Sequence, residues 1–107
     1  MSNAGAMPPA YVGPDATVDD CLVGNGSSIY GKAVHSIVST GAVVGEGAVV
    51  QDSVLLPGSE VKAGAHVVRA ILGENSVVEA EATLGSSDQS VDIAVIGNDA
   101  VVAKEAE

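Results

Sequence analysis

The sequence predicts an all-β fold, a parallel β-helix of about five triangular coils. The first observation is a repeat. Between Ser36 and Gly73 the chain runs SIVSTGAVVGEGAVVQD, SVLLPGSEVKAGAHVVR and AILG, and the two 17-residue blocks superimpose. Ser36 falls on Ser53 and Ala70, Val38 on Leu55 and Leu72, Val44 on Val61, Val50 on Val67, Gly41 on Gly58, and Gly47 on Gly64. Within a block the aliphatic residues recur every six positions. Six is a multiple of two, so each unit accommodates one short strand with alternate side chains inward, then a tight corner. Three units complete one coil, and a lone coil buries its faces only against its neighbours. The second observation is bulk. Hydrophobic residues make up 47% of the chain but aromatics only 2%, so Val, Ile, Leu and Ala must fill a narrow, regular interior.

In chain order, Ser2-Asn3-Ala4 reads as a tag remnant, and residues 1–7 are set aside as tag or linker. Residues 8–107 are expected to form one domain. Ala10 to Asp20 is a first partial coil, and Cys21 to His35 is a coil two residues short at its third side. Ser36–Asp52 and Ser53–Arg69 are the regular coils, and Ala70 opens a fourth that ends near Gly85. Residues 86–92 (SSDQSVD) break the pattern as an extruded loop, after which Ala94–Asp99 re-enters the register of Ala70–Asn75. Three aliphatic columns are expected: Val12, Val23, Val38, Leu55, Leu72 and Ile96; Val18, Ile29, Val44, Val61, Val78 and Val102; and Val50, Val67 and Leu84, with Val34 a looser match. Two residues before most of these stands a small residue pointing the same way, such as Cys21, Ser36, Ser53 and Ala70. Asp15, Gly26, Gly41, Gly58, Asn75 and Asp99 follow the first column by three and suit left-handed corners.

Charge restricts the partners. The net charge is −10, and the four basic residues Lys32, Lys62, Arg69 and Lys104 are scattered, so nucleic acid and anionic membrane are not expected partners. No apolar run reaches the ~20 residues of a membrane span. The single Cys21 forms no internal disulfide and fits a small-residue core slot, consistent with a reducing, cytoplasmic location.

Few motifs carry chemistry. GNGSS and GEGAV are glycine-rich but lack the helix and Lys of a phosphate loop, and corners explain their spacing. Two His are too few for a three-His zinc centre. His66 points outward beside Val49 and Thr83, whereas His35 shares a corner column with Asp20, Asp52 and Arg69. Successive coils are about 4.8 Å apart, so Asp52 is expected between His35 and Arg69, raising the His35 pKa. A second pattern is an outward apolar column of Tyr11, Leu22, Ile37, Val54, Ile71 and Val95, expected as a contact surface.

The repeat [aliphatic]-Gly-x-x-x-x, as in VGEGAV and LGENSV, resembles the left-handed hexapeptide β-helix. YVGPDATV, LVGNGSSIYG, GAVVGEGAVVQDSVLLPGSEV and RAILGENSVV, followed by the loop SSDQSVD and IAVIGNDAVV, resemble more specifically the C-terminal domain of bacterial glucose-1-phosphate adenylyltransferase (ADP-glucose pyrophosphorylase) over about residues 8–103. That resemblance implies a left-handed helix and a C-terminal fragment of a larger enzyme. The enzyme would form ADP-glucose and pyrophosphate from ATP and glucose 1-phosphate with Mg²⁺, in glycogen synthesis. The catalytic and metal-binding residues of the family lie in a separate N-terminal domain, so no catalytic, cofactor or metal residue is carried over and the fragment alone is expected to be inactive. The implied partners are that catalytic domain, further copies of the chain (a tetramer in the family) and a small-molecule effector at the interdomain cleft. The alternatives are a hexapeptide acyltransferase or a stand-alone scaffold.

Overall fold

The computed structural model describes residues 9–86, 88, 90 and 92–104; the expected tag or linker over 1–7 lies outside them. Among the described residues all regular structure is strand. The first coil holds β1 (Tyr11–Val12), β2 (Thr17–Asp19) and β3 (Leu22–Val23), and the second holds β4 (Ser28–Ile29), β5 (Lys32–Val34) and β6 (Ile37–Val38). The third holds β7 (Val43–Val44), β8 (Val49–Gln51) and β9 (Val54–Leu55), and the fourth holds β10 (Glu60–Val61), β11 (His66–Val68) and β12 (Ala70–Leu72). Then come β13 (Val77–Val78), β14 (Thr83–Gly85), β15 (Ala94–Ile96) and a closing β16 (Val101–Val102).

Every strand pairs in parallel with the equivalent strand of the next coil. The result is three sheets, β1-β4-β7-β10-β13-β16, β2-β5-β8-β11-β14 and β3-β6-β9-β12-β15. This is the left-handed parallel β-helix of the sequence reading. Parallel pairing follows from the winding, because each return to a side enters in the same direction. The strands are two or three residues long, so most contribute one large inward side chain. Ile29, Val38, Val44, Val50, Leu55, Val61, Val67, Leu72 and Val78 are fully buried, with Ala33, Ala42, Ala48, Ala65, Ala70 and Ala82 beside them.

The corners follow the residue types. Gly26, Gly41, Gly58, Asn75 and Asp99 all have positive φ, as do Gly47, Gly64 and Glu81 at the next corner. Asp99 sits where expected after the loop, and Ala70 pairs with Ala94, so the register is recovered.

The first two coils correct the expected columns. Val12 pairs with Ile29, and Val18 pairs with Ala33, so both move one side along. Tyr11 therefore leaves the outward column of Leu22 and pairs with Ser28 on a different sheet. Asp15 does not join the positive-φ corner of Gly26. The cause is the position of the two-residue deficit. Only Tyr30 and Gly31 separate β4 from β5, whereas Gly45 to Ala48 separate β7 from β8. The deficit falls at this corner, and the strand after it keeps its full length. The inward residue is Ala33, fully buried, while Val34 pairs with Gln51. A shift of one residue in a strand exchanges its two faces. The tight corner requires glycine: a Cβ on Gly31 would collide with the carbonyl oxygens of Gly45 and Ala48.

Serines fill a backbone need in the small-residue columns. Ser36 Oγ donates to Val34 O (2.7 Å) and accepts from Ser53 N (3.1 Å); Ser53 Oγ donates to Gln51 O (2.8 Å) and accepts from Ala70 N (3.1 Å). Each hydroxyl thus serves an amide of the following coil. Ser59 differs, being fully buried with no partner for its Oγ. Removing an acceptor that a buried N–H needs costs about 1–3 kcal/mol, whereas removing an unpartnered hydroxyl costs little or is favourable. Chemical denaturation of Ser53→Ala is therefore expected to show a loss of about 1–3 kcal/mol. Ser59→Ala should match or exceed the unsubstituted protein, since alanine already fills the same column, fully buried, at Ala42.

Candidate functional site

At the corner leading into the β3-β6-β9-β12 sheet, four non-glycine residues with positive φ stand one above another: Asp20 (φ 56°), His35 (48°), Asp52 (52°) and Arg69 (51°). The left-handed conformation costs an L-residue roughly 1–2 kcal/mol. Backbone bonds between coils offset it: His35 N donates to Asp19 O (2.8 Å), Asp52 N to Val34 O (3.1 Å) and Arg69 N to Gln51 O (3.0 Å). The corner turns each side chain outward, and the 4.8 Å strand spacing brings successive ones within contact.

His35 is held between two carboxylates. Its Nδ1 is 2.8 Å from Asp52 Oδ1, and its Nε2 is 3.8 Å from Asp20 Oδ2. The hydrogen bond to Asp52 chiefly, then the charges of Asp20 and Asp52, raise its pKa above the ordinary 6.5. All three side chains are solvent-accessible, so His35, when protonated, is a bridging charge in a hydrated ladder.

Arg69 ties the ladder to the extruded loop. Its Nη1 donates to Asp88 O (2.9 Å) and Ser86 O (3.4 Å). Asp88 in turn closes a small turn, its Oδ1 accepting from Ser90 N (2.9 Å) and Ser90 Oγ (2.7 Å). Those two bonds, backbone first, hold the Asp88 carboxyl below its ordinary range, with a smaller contribution from the Arg69 charge.

An open groove of about 570 Å³ runs beside the ladder. Leu22, Ile37 and Val54 lie along one side of it, Asp20, His35, Asp52 and Arg69 along the other, and Ile93 also lines it. The structure thus brings the corner residues and half of the outward apolar column, Leu22, Ile37 and Val54, to one site. Leu22, Ile37, Val54, Ile71 and Val95 pair in sequence across the sheet, and Leu22 and Val95 are 70% and 69% exposed. Tyr11 stands apart, its ring 5.6 Å from that of Tyr30. Sequence reasoning missed Ile93 because it lies outside the hexad pattern; its only signal is an aliphatic residue directly after a polar loop. Cys21 also lines the groove and is half-buried, against the buried core position expected, because it belongs to the end coil. His66 lies outward between Val49 and Thr83, away from the groove.

Among the described residues no group of three or more His, Cys, Asp and Glu side chains is arranged to hold a metal ion. The described residues contain no helix long and apolar enough to cross a membrane.

The ladder has a signed pH dependence. The folded pKa of His35 lies above its ordinary 6.5, so its contribution is complete below the unfolded value and is lost as pH rises through the folded one. Asn tolerates the left-handed corner as Asp does, so Asp52→Asn removes charge without changing the backbone. An NMR titration is expected to show the His35 pKa falling towards 6.5 in Asp52→Asn, with the stability gap between the proteins wider in mild acid than in alkali. An unchanged His35 pKa would refute the coupling.

Comparison with known proteins places these features. A family model described as GlmU-like, C-terminal hexapeptide, matches residues 8–102. The glucose-1-phosphate adenylyltransferase of Desulfitobacterium hafniense is 36% identical over 85 residues, covering 79% of this chain and 21% of the relative. That of Bacillus thuringiensis is 35% identical over 89 residues, covering 83% and 23%. The chain thus spans about a fifth of the length of these relatives. Among solved structures, the acetyltransferase domain of PglB from Neisseria gonorrhoeae, in complex with acetyl coenzyme A, superimposes with a TM-score of 0.50 at 26% identity, over 94% of this chain and 58% of that one. With its repeat, its three parallel sheets and a family match over nearly its whole length, the chain belongs to the GlmU-like C-terminal hexapeptide family.

Proposed function

We propose that this chain is the regulatory and assembly domain of a glucose-1-phosphate adenylyltransferase. The observation that carries the reading is the 36% identity over 79% of the chain to an enzyme of that name. The parent enzyme joins ATP to glucose 1-phosphate, releasing pyrophosphate and forming ADP-glucose for glycogen synthesis in the cytoplasm. Its ATP site, sugar-phosphate site and Mg²⁺ belong to a catalytic domain outside this chain. The β-helix contributes contacts, both to that domain and between subunits, and alone it is inactive. With a net charge of −10, it offers an anionic effector little attraction of its own. An effector site at the interdomain cleft would draw most of its basic residues from the catalytic domain, with Arg69 or Lys32 adding to them.

A second reading is acyl transfer, favoured by the likeness to an acetyltransferase domain and by the His35–Asp52 pair beside a groove. A general base must present a free ring nitrogen to the substrate near its own pKa. Here Asp20 stands 3.8 Å from Nε2 and the pKa is raised, which favours imidazolium over base.

The test is ADP-glucose formation by the longer protein that carries this domain. Activity that changes in extent or effector response on truncation at Met7 is expected. Acetyl transfer from acetyl coenzyme A by the present chain, lost in His35→Ala, would replace this reading with the second.

A further inference from the structure

The corner ladder and the apolar strip beside it share a symmetry that identifies a partner. Along the helix axis the ladder reads Asp20, His35, Asp52, Arg69, one residue per coil. Reversed, the order pairs Asp20 with Arg69 and His35 with Asp52, so the row is complementary in charge to its own inverse. The strip on the same coils reads Leu22, Ile37, Val54, Ile71 and is apolar in either direction. We infer that this face is an isologous interface, on which a second copy of the chain docks antiparallel about a two-fold axis lying between the second and third coils.

The symmetry operation restricts the arrangement. A two-fold axis in the contact plane and perpendicular to the helix axis inverts the order of the coils but leaves each side of the face in place. Ladder then meets ladder, and strip meets strip. Asp20 faces Arg69 of the other copy, His35 faces Asp52, Leu22 faces Ile71 and Ile37 faces Val54. The opposite border offers Asn25, Thr40, Pro57 and Glu74, and the same inversion sets Asn25 against Glu74 and Thr40 against Pro57, with no like charges opposed. A two-fold axis parallel to the helix would move the ladder to the wrong border and lose this matching. Of the three sheets, this one alone has an outward row that is aliphatic from end to end. The equivalent row of the β1 sheet contains Ser28 and Glu60, and that of the β2 sheet contains Lys32 and His66.

The division of roles follows from magnitudes. Exposed ion pairs add little affinity, so the strip, with Leu22 at 70% and Ile37 at 40% exposure, supplies attraction. The ladder sets direction and register, as charges across interfaces generally do. Four coils at about 4.8 Å by one short side give a patch of only a few hundred Å². Stable interfaces bury roughly 800 Å² per partner, so the dimer of this chain alone is weak and concentration-dependent.

The inference deepens the assembly role proposed above and rests on it. Its failure is separate from failure of the enzymatic reading, since ADP-glucose formation by the longer protein tests only the latter. Sedimentation equilibrium of the chain up to about 1 mM is expected to show a monomer–dimer equilibrium. Leu22→Glu and Asp20→Arg should each shift it to monomer, with circular dichroism confirming that the exposed substitutions leave the fold intact. Orientation is read by cross-linking in a Cys21→Ala background with a bismaleimide of roughly 10 Å span, the packing distance of two sheets. An equimolar mixture of Leu22→Cys and Ile71→Cys chains should give the mixed cross-link. Leu22→Cys alone should give none, because three coil steps separate the two thiols axially by about 14 Å. A monomer throughout, a dimer indifferent to both charged substitutions, or efficient Leu22→Cys self-cross-linking would each overturn the inference.

Discussion

A strand of two residues makes too few hydrogen bonds to persist by itself, so every element here depends on the coil above and the coil below. The binding condition is a common spacing. Each coil must present its carbonyls and amides one strand separation from the next, and each corner must turn through the same angle to allow it. Left-handed backbone at the corners is the local expression of that condition. Glycine, Asn and Asp meet it with little strain, and His35 and Arg69 meet it because flanking bonds between coils hold them there.

The interior follows from the same constraint. With so thin a cross-section, a Phe or Trp on one coil would collide with the coil below, so large and small aliphatics alternate instead. Serine can enter this interior because its hydroxyl reaches amides that the tight corner leaves without a carbonyl, as at Ser53 N and Ala70 N. Polarity in the core is thus part of the stacking, with Ser59 the place where it is not satisfied.

Most of this was legible in the residues. The blocks from Ser36 to Gly73 repeat on every coil side, so inward columns, corner types and the alignment of His35, Asp52 and Arg69 all followed from one 17-residue period. The start of the chain was less legible for a physical reason. The three sides of the prism use the same hexad, so an isolated YVGPDATV does not reveal which side it occupies. Only a reference coil of known length can assign it, and the neighbouring coil is the short one. Hence Tyr11, Val12 and Val18 each fall one side away from the expected column, and Ala33 takes the inward place for which Val34 was only a looser match. The groove was half legible: periodicity supplies its ladder and strip, but Ile93 and the hold of Arg69 on Asp88 depend on how an irregular loop folds back.

The shortened corner at Tyr30–Gly31 and the extruded loop after Gly85 are opposite edits to one scaffold. One removes two residues and the other adds seven, and strands on either side keep their partners in both cases. A solenoid of this kind absorbs changes of length at its edges without passing them to the stack. Corners are therefore sites where new sequence can be trialled while the scaffold stays in register, and a loop placed at one of them inherits a fixed height and direction from the outset. The segment around Asp88 is such an addition, set beside a groove that the regular coils had already formed.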